Sequence, residues 1–226
     1  MLDTFLNYLL LFVTGLAVAT GLLGLVRYRQ LVPGLRWLAL LAGFDAIMEL
    51  TYSVLSALEV HTLFLNPVVL IGEIVLLTLL YRQVLKSAAF NRVAPWLLVL
   101  FSLYALLQIP LKFDVVQLPV SLEVVANLIQ LVLAGLYFQK LLNELQVERL
   151  QRDPFFWFSM ALAAYGLGDI LIMLFGNYIL THCTVQLQKI VFWGLRSIFN
   201  IQLYLAYILV LWVRPVPANA GDTRLA

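Results

Sequence analysis

Five ionisable side chains of this chain sit in stretches that are otherwise almost wholly apolar: Asp45, Glu49, Glu73, Asp169 and Arg196. A charge at the centre of a bilayer costs at least ~2.5 kcal/mol, so each of these demands a physical reason. Carboxylates and a guanidinium in such a setting pair with one another, bind a cation or polar solute, carry protons, or serve as acid and base. Asp45 and Glu49 are four residues apart and share one helix face, as do Arg196 and Asn200, and Glu123 and Asn127. Depth follows from the helix rise of ~1.5 Å per residue, counted from the helix ends that carry few basic residues. Glu49, Glu73, Asp169 and Arg196 fall ~13–17 Å deep and Asp45 ~20 Å deep. Asn127 lies at the same level, with Glu123 one turn above it.

One arginine cannot neutralise four deep acids. Fully ionised, the layer of Asp45, Glu49, Glu73, Asp169 and Arg196 carries a charge of minus three (four acids less one base), which a low dielectric does not tolerate. Some of the acids must keep their protons, or a bound cation or a wet cavity must balance them. A purely structural network of ion pairs leaves that surplus unexplained. The expectation is therefore one polar, acidic, ligand-binding pocket in the middle-to-outer half of a helix bundle. Glu49, Glu73, Asn127, Asp169, Arg196 and Asn200 line it, Asp45 forms its floor and Glu123 stands near its mouth. Arg196 is expected to bridge at least one of Glu73 and Asp169.

Other chemistries lack their residues. No lysine lies mid-span, which removes a retinal-type Schiff base, and no histidine lies in a span, which removes haem ligation and histidine-held metal centres. No Ser–His pair is available inside the spans for acyl transfer. His61 and His182 fall in connections; His182 and Cys183 are adjacent, and a lone His-Cys pair in a loop is far short of a metal site. Cys183 is the single cysteine, so no intrachain disulfide forms. No metal, cofactor or catalytic residue is expected, and no nucleic-acid partner. Gly166-Leu167-Gly168 reads as close helix packing, not as a phosphate loop.

The elements that must position these groups are membrane helices. Hydrophobic residues make up 63% of the 226 positions and charged residues 12%, against roughly half and a quarter in soluble domains. Seven spans are predicted, at 4–26, 36–58, 63–85, 94–111, 119–142, 155–180 and 187–213, forming one all-α bundle over 1–213 with a disordered tail over 214–226. Pro33, Pro95, Pro119 and Pro154 are read as lying at or just before helix starts, with Pro110 closing the fourth span. Arg27, Arg29, Arg36, Arg82, Lys86, Arg92, Lys140, Arg149, Arg152, Arg214 and Arg224 all fall on one side. Only Lys112 and Lys189 fall on the other, and Arg196 lies within the last span. Cytoplasmic connections retain Lys and Arg, so an odd number of spans puts the N-terminus outside and the C-terminus inside. Trp37, Trp96 and Trp157 open the three inside-to-outside helices as an interfacial belt would. Ala17-Val18-Ala19 loosely fits a signal-peptide cleavage site, but Arg27 and Arg29 follow the apolar run and no basic residue precedes it, which suits a retained first helix. Residues 68–85 and 124–141 align faintly, with Leu80-Tyr81-x-Gln83-x-Leu85 against Leu136-Tyr137-x-Gln139-x-Leu141. That match is read as a shared helix exit rather than a transporter repeat.

Several short motifs resemble those of a large family of seven-helix membrane proteins of Bacteroidetes-type bacteria. They are Glu49, Asn66-Pro67 with Glu73, Ser121-Leu122-Glu123, Leu136-Tyr137-Phe138, Asp153-Pro154-Phe155-Phe156-Trp157, and Trp193 with Ser197-Ile198-Phe199-Asn200. The resemblance implies a multi-pass protein of the bacterial inner membrane with a sensory role, working through a cytoplasmic partner such as a sensor kinase. The charged Lys140–Asp153 connection, with Glu144, Glu148, Arg149 and Arg152, reads either as the docking loop for that partner or as a solvated helix extension. Gly168-Asp169-Ile170-Leu171 is similar to the Gly-Asp motif of the lysoplasmalogenase-like membrane lipid hydrolases, which implies a two-aspartate hydrolase with Asp45 as partner of Asp169. A proton- or cation-coupled small-solute transporter is the remaining reading of the same acids.

Overall fold

The computed structural model describes residues 2–58, 65–108, 120–143 and 153–212. They are helical almost throughout, and seven helices are long and apolar enough to cross a membrane. These are α1 (Leu2–Arg27), α2 (Pro33–Ala57), α3 (Leu65–Leu85), α4 (Ala88–Gln108), α5 (Val120–Asn143), α6 (Pro154–His182) and a last helix over Val185–Trp212. The last helix is composite. It consists of α7 (Val185–Lys189), a π-helical turn at Ile190–Leu195 and α8 (Arg196–Trp212). The predicted spans agree with these bounds to within a few residues, except at the fourth helix. The tail over 214–226, the Lys140–Asp153 connection from 144 to 152, His61, Pro110, Lys112 and Pro119 lie outside the described residues.

Pro95 corrects the reading of the fourth helix, which starts at Ala88 and carries Pro95 inside it. Ser87 opens that helix: its Oγ accepts from the Phe90 N–H at 3.5 Å and its carbonyl accepts from the Asn91 N–H at 3.0 Å. The sequence signal failed because the first turns, around Asn91 and Arg92, are polar and extend beyond the apolar run. Pro95 fills the second turn, where the lost donor costs one hydrogen bond and not the helix.

Six of the helices close into a ring in the order α1, α2, α3, α5, α6, α8, and α4 packs outside it. Phe101 and Ala105 of α4 join Ile74 of α3 and Leu122 and Ala126 of α5 in a small apolar cluster. No deep charged residue lies on α4, as its peripheral place requires. The α1–α2 seam is built of small residues, with Ala17, Gly21 and Gly24 facing Ala39, Ala42 and Ala46. Without a hydrophobic drive between helices in lipid, such close backbone approach supplies the packing attraction.

The end of the bundle that bears Arg27, Arg82 and Lys140 holds the main core. Tyr81, Tyr137, Phe158 and Tyr207 are buried there among Leu35, Leu38 and Leu211. The two tyrosines that align in the faint repeat, Tyr81 and Tyr137, meet edge to face with ring centroids 6.5 Å apart. Basic side chains at this end also close helix C-termini. Arg27 donates to the carbonyls of Leu211 and Trp212 at 3.1 and 2.7 Å and stacks over the Trp212 ring, and Lys140 donates to the Val84 carbonyl at 2.7 Å. A cation at a helix C-terminus satisfies orphan carbonyls and the negative end of the dipole together. Asp153 does the converse at the start of α6, accepting from the Phe155 N–H at 2.9 Å with Pro154 behind it.

Candidate functional site

The eight expected site residues all point into the bundle, but they divide into two adjoining groups. The first is an ion-pair cluster around Arg196, the first residue after the π-helical turn. Its Nη2 lies 3.1 Å from Glu123 Oε2 on α5, and its Nε lies 3.0 Å from Asp169 Oδ1 on α6. The Nε–Asp169 contact is an ion pair off the line of a hydrogen bond. Asn127 Nδ2 donates to Asp169 Oδ2 at 2.7 Å, and Asn66 Nδ2 donates to Glu123 Oε1 at 2.6 Å. Every oxygen of both carboxylates therefore has a partner. The two acid side chains are 3% and 2% exposed, and Arg196 is 33% exposed. The π-helical turn supplies the register: a wide turn carries one extra residue and re-aims the side chains beyond it. Ser197 ties that turn back by donating to the Trp193 carbonyl.

The second group lines a cavity of about 60 Å³ on the other side of this cluster. Asp45 and Glu49 of α2, Glu73 of α3 and Asn200 of α8 face it, with Gln130 of α5 and Tyr52, Tyr165, Tyr204 and Tyr207. Tyr207 donates to Asp45 Oδ2 at 3.2 Å, and Thr14 of α1 donates to Glu49 Oε1 at 3.3 Å. Glu73 has no hydrogen-bond or ion-pair partner among the described residues. Tyr52 joins the two groups, since it lines the cavity and donates to Asn66 Oδ1 at 3.4 Å. No lysine or arginine is among the lining residues.

The single pocket expected from the sequence is thus corrected. Asp45, Glu49, Glu73 and Asn200 share the cavity, whereas Glu123, Asn127, Asp169 and Arg196 form the neighbouring cluster. Arg196 does bridge Asp169, but its second partner is Glu123 and not Glu73. Counting residues fixes depth along a helix but not which way round the axis a side chain turns, and the forked guanidinium draws four groups out of the cavity wall. Depth counting also missed Gln130, Thr14 and the tyrosines, which carry no charge to mark them. Spacing held a signal for most of them: Gln130 continues the Glu123–Asn127 face, Tyr52 the Asp45–Glu49 face, and Tyr204 and Tyr207 the Asn200 face.

Asp45 and Asp169, the pair a two-aspartate hydrolase needs, have different partners, Tyr207 for one and Arg196 with Asn127 for the other. Gly168 packs beneath Phe199, whose ring atoms would lie 2.4 Å from an added Cβ, which gives the Gly-Asp motif a packing role. His182 stacks on Tyr178 and its Nδ1 lies 2.6 Å from Thr181 Oγ1. A larger cavity of about 380 Å³ opens at the basic end, lined by Lys86, Lys140 and Asp153 among others. Lys140 and Asp153 are engaged there in closing the ends of α3 and α6.

Comparison with known protein families, with curated proteins and with solved structures finds no match to this chain.

Proposed function

We propose that this chain is a sensory or ligand-binding protein of the bacterial inner membrane, with its N-terminus outside, its C-terminus in the cytoplasm and a small polar ligand held in the acid-lined cavity. One observation carries the reading. Three carboxylates, Asp45, Glu49 and Glu73, face one cavity, while the nearby Arg196 guanidinium is committed to two other acids. A bundle that needed polar contacts for packing alone would pair its acids or replace them with apolar residues, at little or no cost in stability. The orientation rests on the distribution of basic residues. The sensory role rests on the family resemblance, and with it the separate cytoplasmic partner, such as a sensor kinase.

Binding is favoured over transport by the packing on the basic side of the cavity, where Tyr207 stacks on Phe158 with centroids 5.4 Å apart. The enzyme reading is disfavoured by the separate partners of the two aspartates, Arg196 and Asn127 for Asp169 and Tyr207 for Asp45.

The test is capture of partners cross-linked in the host, comparing wild type with Glu73→Gln. The reading expects a signalling protein in the wild-type sample and a changed yield in the variant. No signalling partner in either, with solute flux in proteoliposomes, would replace it with the transporter.

A further inference from the structure

We infer that the cavity binds a single, partly dehydrated monovalent alkali cation, held between Asp45 of α2 and Gln130 of α5. This rests on the cavity being a ligand site, as proposed above, and names the class of ligand.

Two unpartnered oxygens point to it. Gln130 is 3% exposed, lines the cavity, and its Oε1 accepts no hydrogen bond. Asp45 Oδ1 is fully shielded and likewise has no donor, the other oxygen being taken by Tyr207. Leaving a buried acceptor unmade costs about 1–3 kcal/mol, and more when the group is charged. Neither oxygen has a donor in the structure although both groups line the same cavity, and a cation between them would serve both at once.

Size narrows what that is. A water needs ~10–15 Å³ of such space, and organic ligands occupy cavities from ~300 Å³ upward. About 60 Å³ is too small for an organic ligand and admits an ion with a few waters. Charge points the same way. The cavity wall offers carboxylates and no basic side chain, and the adjoining cluster of Arg196 with Glu123 and Asp169 sums to minus one when all three are ionised. The Arg196 charge is offset there by its two acid partners. The lining polar atoms are mostly carboxylate, amide and phenol oxygens, the donor type hard cations take. A divalent ion would require several carboxylates converging on one point, and no such group of three occurs among the described residues. One charge and one carboxylate suit a monovalent ion.

Thermal unfolding of the purified full chain in lipid nanodiscs tests this, with lithium, sodium, potassium or choline chloride at fixed pH and ionic strength. The expected result is a saturable rise in Tm with at least one alkali cation and none with choline. In Asp45→Asn and Gln130→Leu the apparent affinity should fall about tenfold or more. Binding of radioactive sodium to the wild-type protein, competed by each alkali cation, reads the site directly should either variant fail to fold. Equal Tm in every salt together with no competed sodium binding would overturn the assignment, as would sodium binding unchanged in both variants. If cation dependence is missing while Glu73→Gln still alters partner capture, the cation assignment fails alone. If both are missing, the ligand-binding reading fails with it.

Discussion

Arg196 divides one guanidinium between two carboxylates on two helices, and that fork decides which acids remain in the cavity. Arg196→Leu would leave Glu123 with only Asn66 and Asp169 with only Asn127. Removing one partner of a buried pair strands the other's charge, and a loss of about 3 kcal/mol is expected, near the low end for such changes because Arg196 is one-third exposed. The measurement is thermal unfolding and monodispersity in detergent, with Arg196→Leu/Glu123→Gln/Asp169→Asn as the rescue. A single variant as stable as wild type would mean the pairing contributes nothing. Arg196→Lys should fall between the two, since an ammonium keeps the charge but not the planar fork. At this scale residue type and position along each helix were legible in the sequence, and azimuth was not. The sequence marked Asp45, Glu49, Glu73 and Asn200 as polar and deep, which suffices to predict that they meet. It could not separate them from Asp169 and Asn127, because those lie at the same level and only the turn of each helix about its axis distinguishes them.

Helices constrain these side chains through two features that hydrophobic period does not reveal. The π-helical turn at Ile190–Leu195 is one, because an apolar stretch reads the same whether its turns are α or π. The α1–α2 seam is the other. Gly24 packs so closely that an added Cβ would lie 3.2 Å from the Cα, Cβ and carbonyl oxygen of Ala39, whereas at Gly15 nothing lies within 4 Å. Gly24→Leu should therefore force the two helices apart and cost about 1–3 kcal/mol, as overpacking does. Gly15→Leu on the same helix should leave stability nearly unchanged. The seam also carries Thr14 to Glu49, so Gly24→Leu should weaken that contact as well. Equal unfolding temperatures for the two variants would show that the seam yields easily and does not fix Glu49. The seven long helices themselves were legible because each exceeds the ~18 apolar residues of a span. The start of α4 was not, because its first turns are polar and only the Ser87 contacts define them.

Across the whole molecule, polarity is inverted relative to a soluble protein. Large apolar side chains such as Phe5, Leu22, Trp96, Leu103, Leu174 and Trp212 are more than half exposed, while Glu123, Asn127, Gln130 and Asp169 are buried. An exposed apolar surface on that scale, with seven helices long and apolar enough to span a bilayer, fits a multi-pass membrane protein. The proposed orientation rests on the basic residues gathered at one end, where Arg27 and Lys140 also close helix C-termini. The opposite end holds the Asp3–Lys189 ion pair at 2.6 Å and, between α6 and α7, the single cysteine. That cysteine makes the orientation testable without altering the protein. Cys183 is partly exposed and should lie on the periplasmic side. A membrane-impermeant maleimide should label it in cells whose outer membrane alone has been permeabilised. The paired control is Cys183→Ser with Ser87→Cys, which moves the thiol to the connection between α3 and α4 at the basic end, and which should react only after the inner membrane is broken. Labelling of Cys183 that appears only after lysis, with Ser87→Cys reacting in intact spheroplasts, would reverse the orientation and place the Arg196 cluster nearer the cytoplasm. The same reagent therefore decides which end of the bundle faces the periplasm.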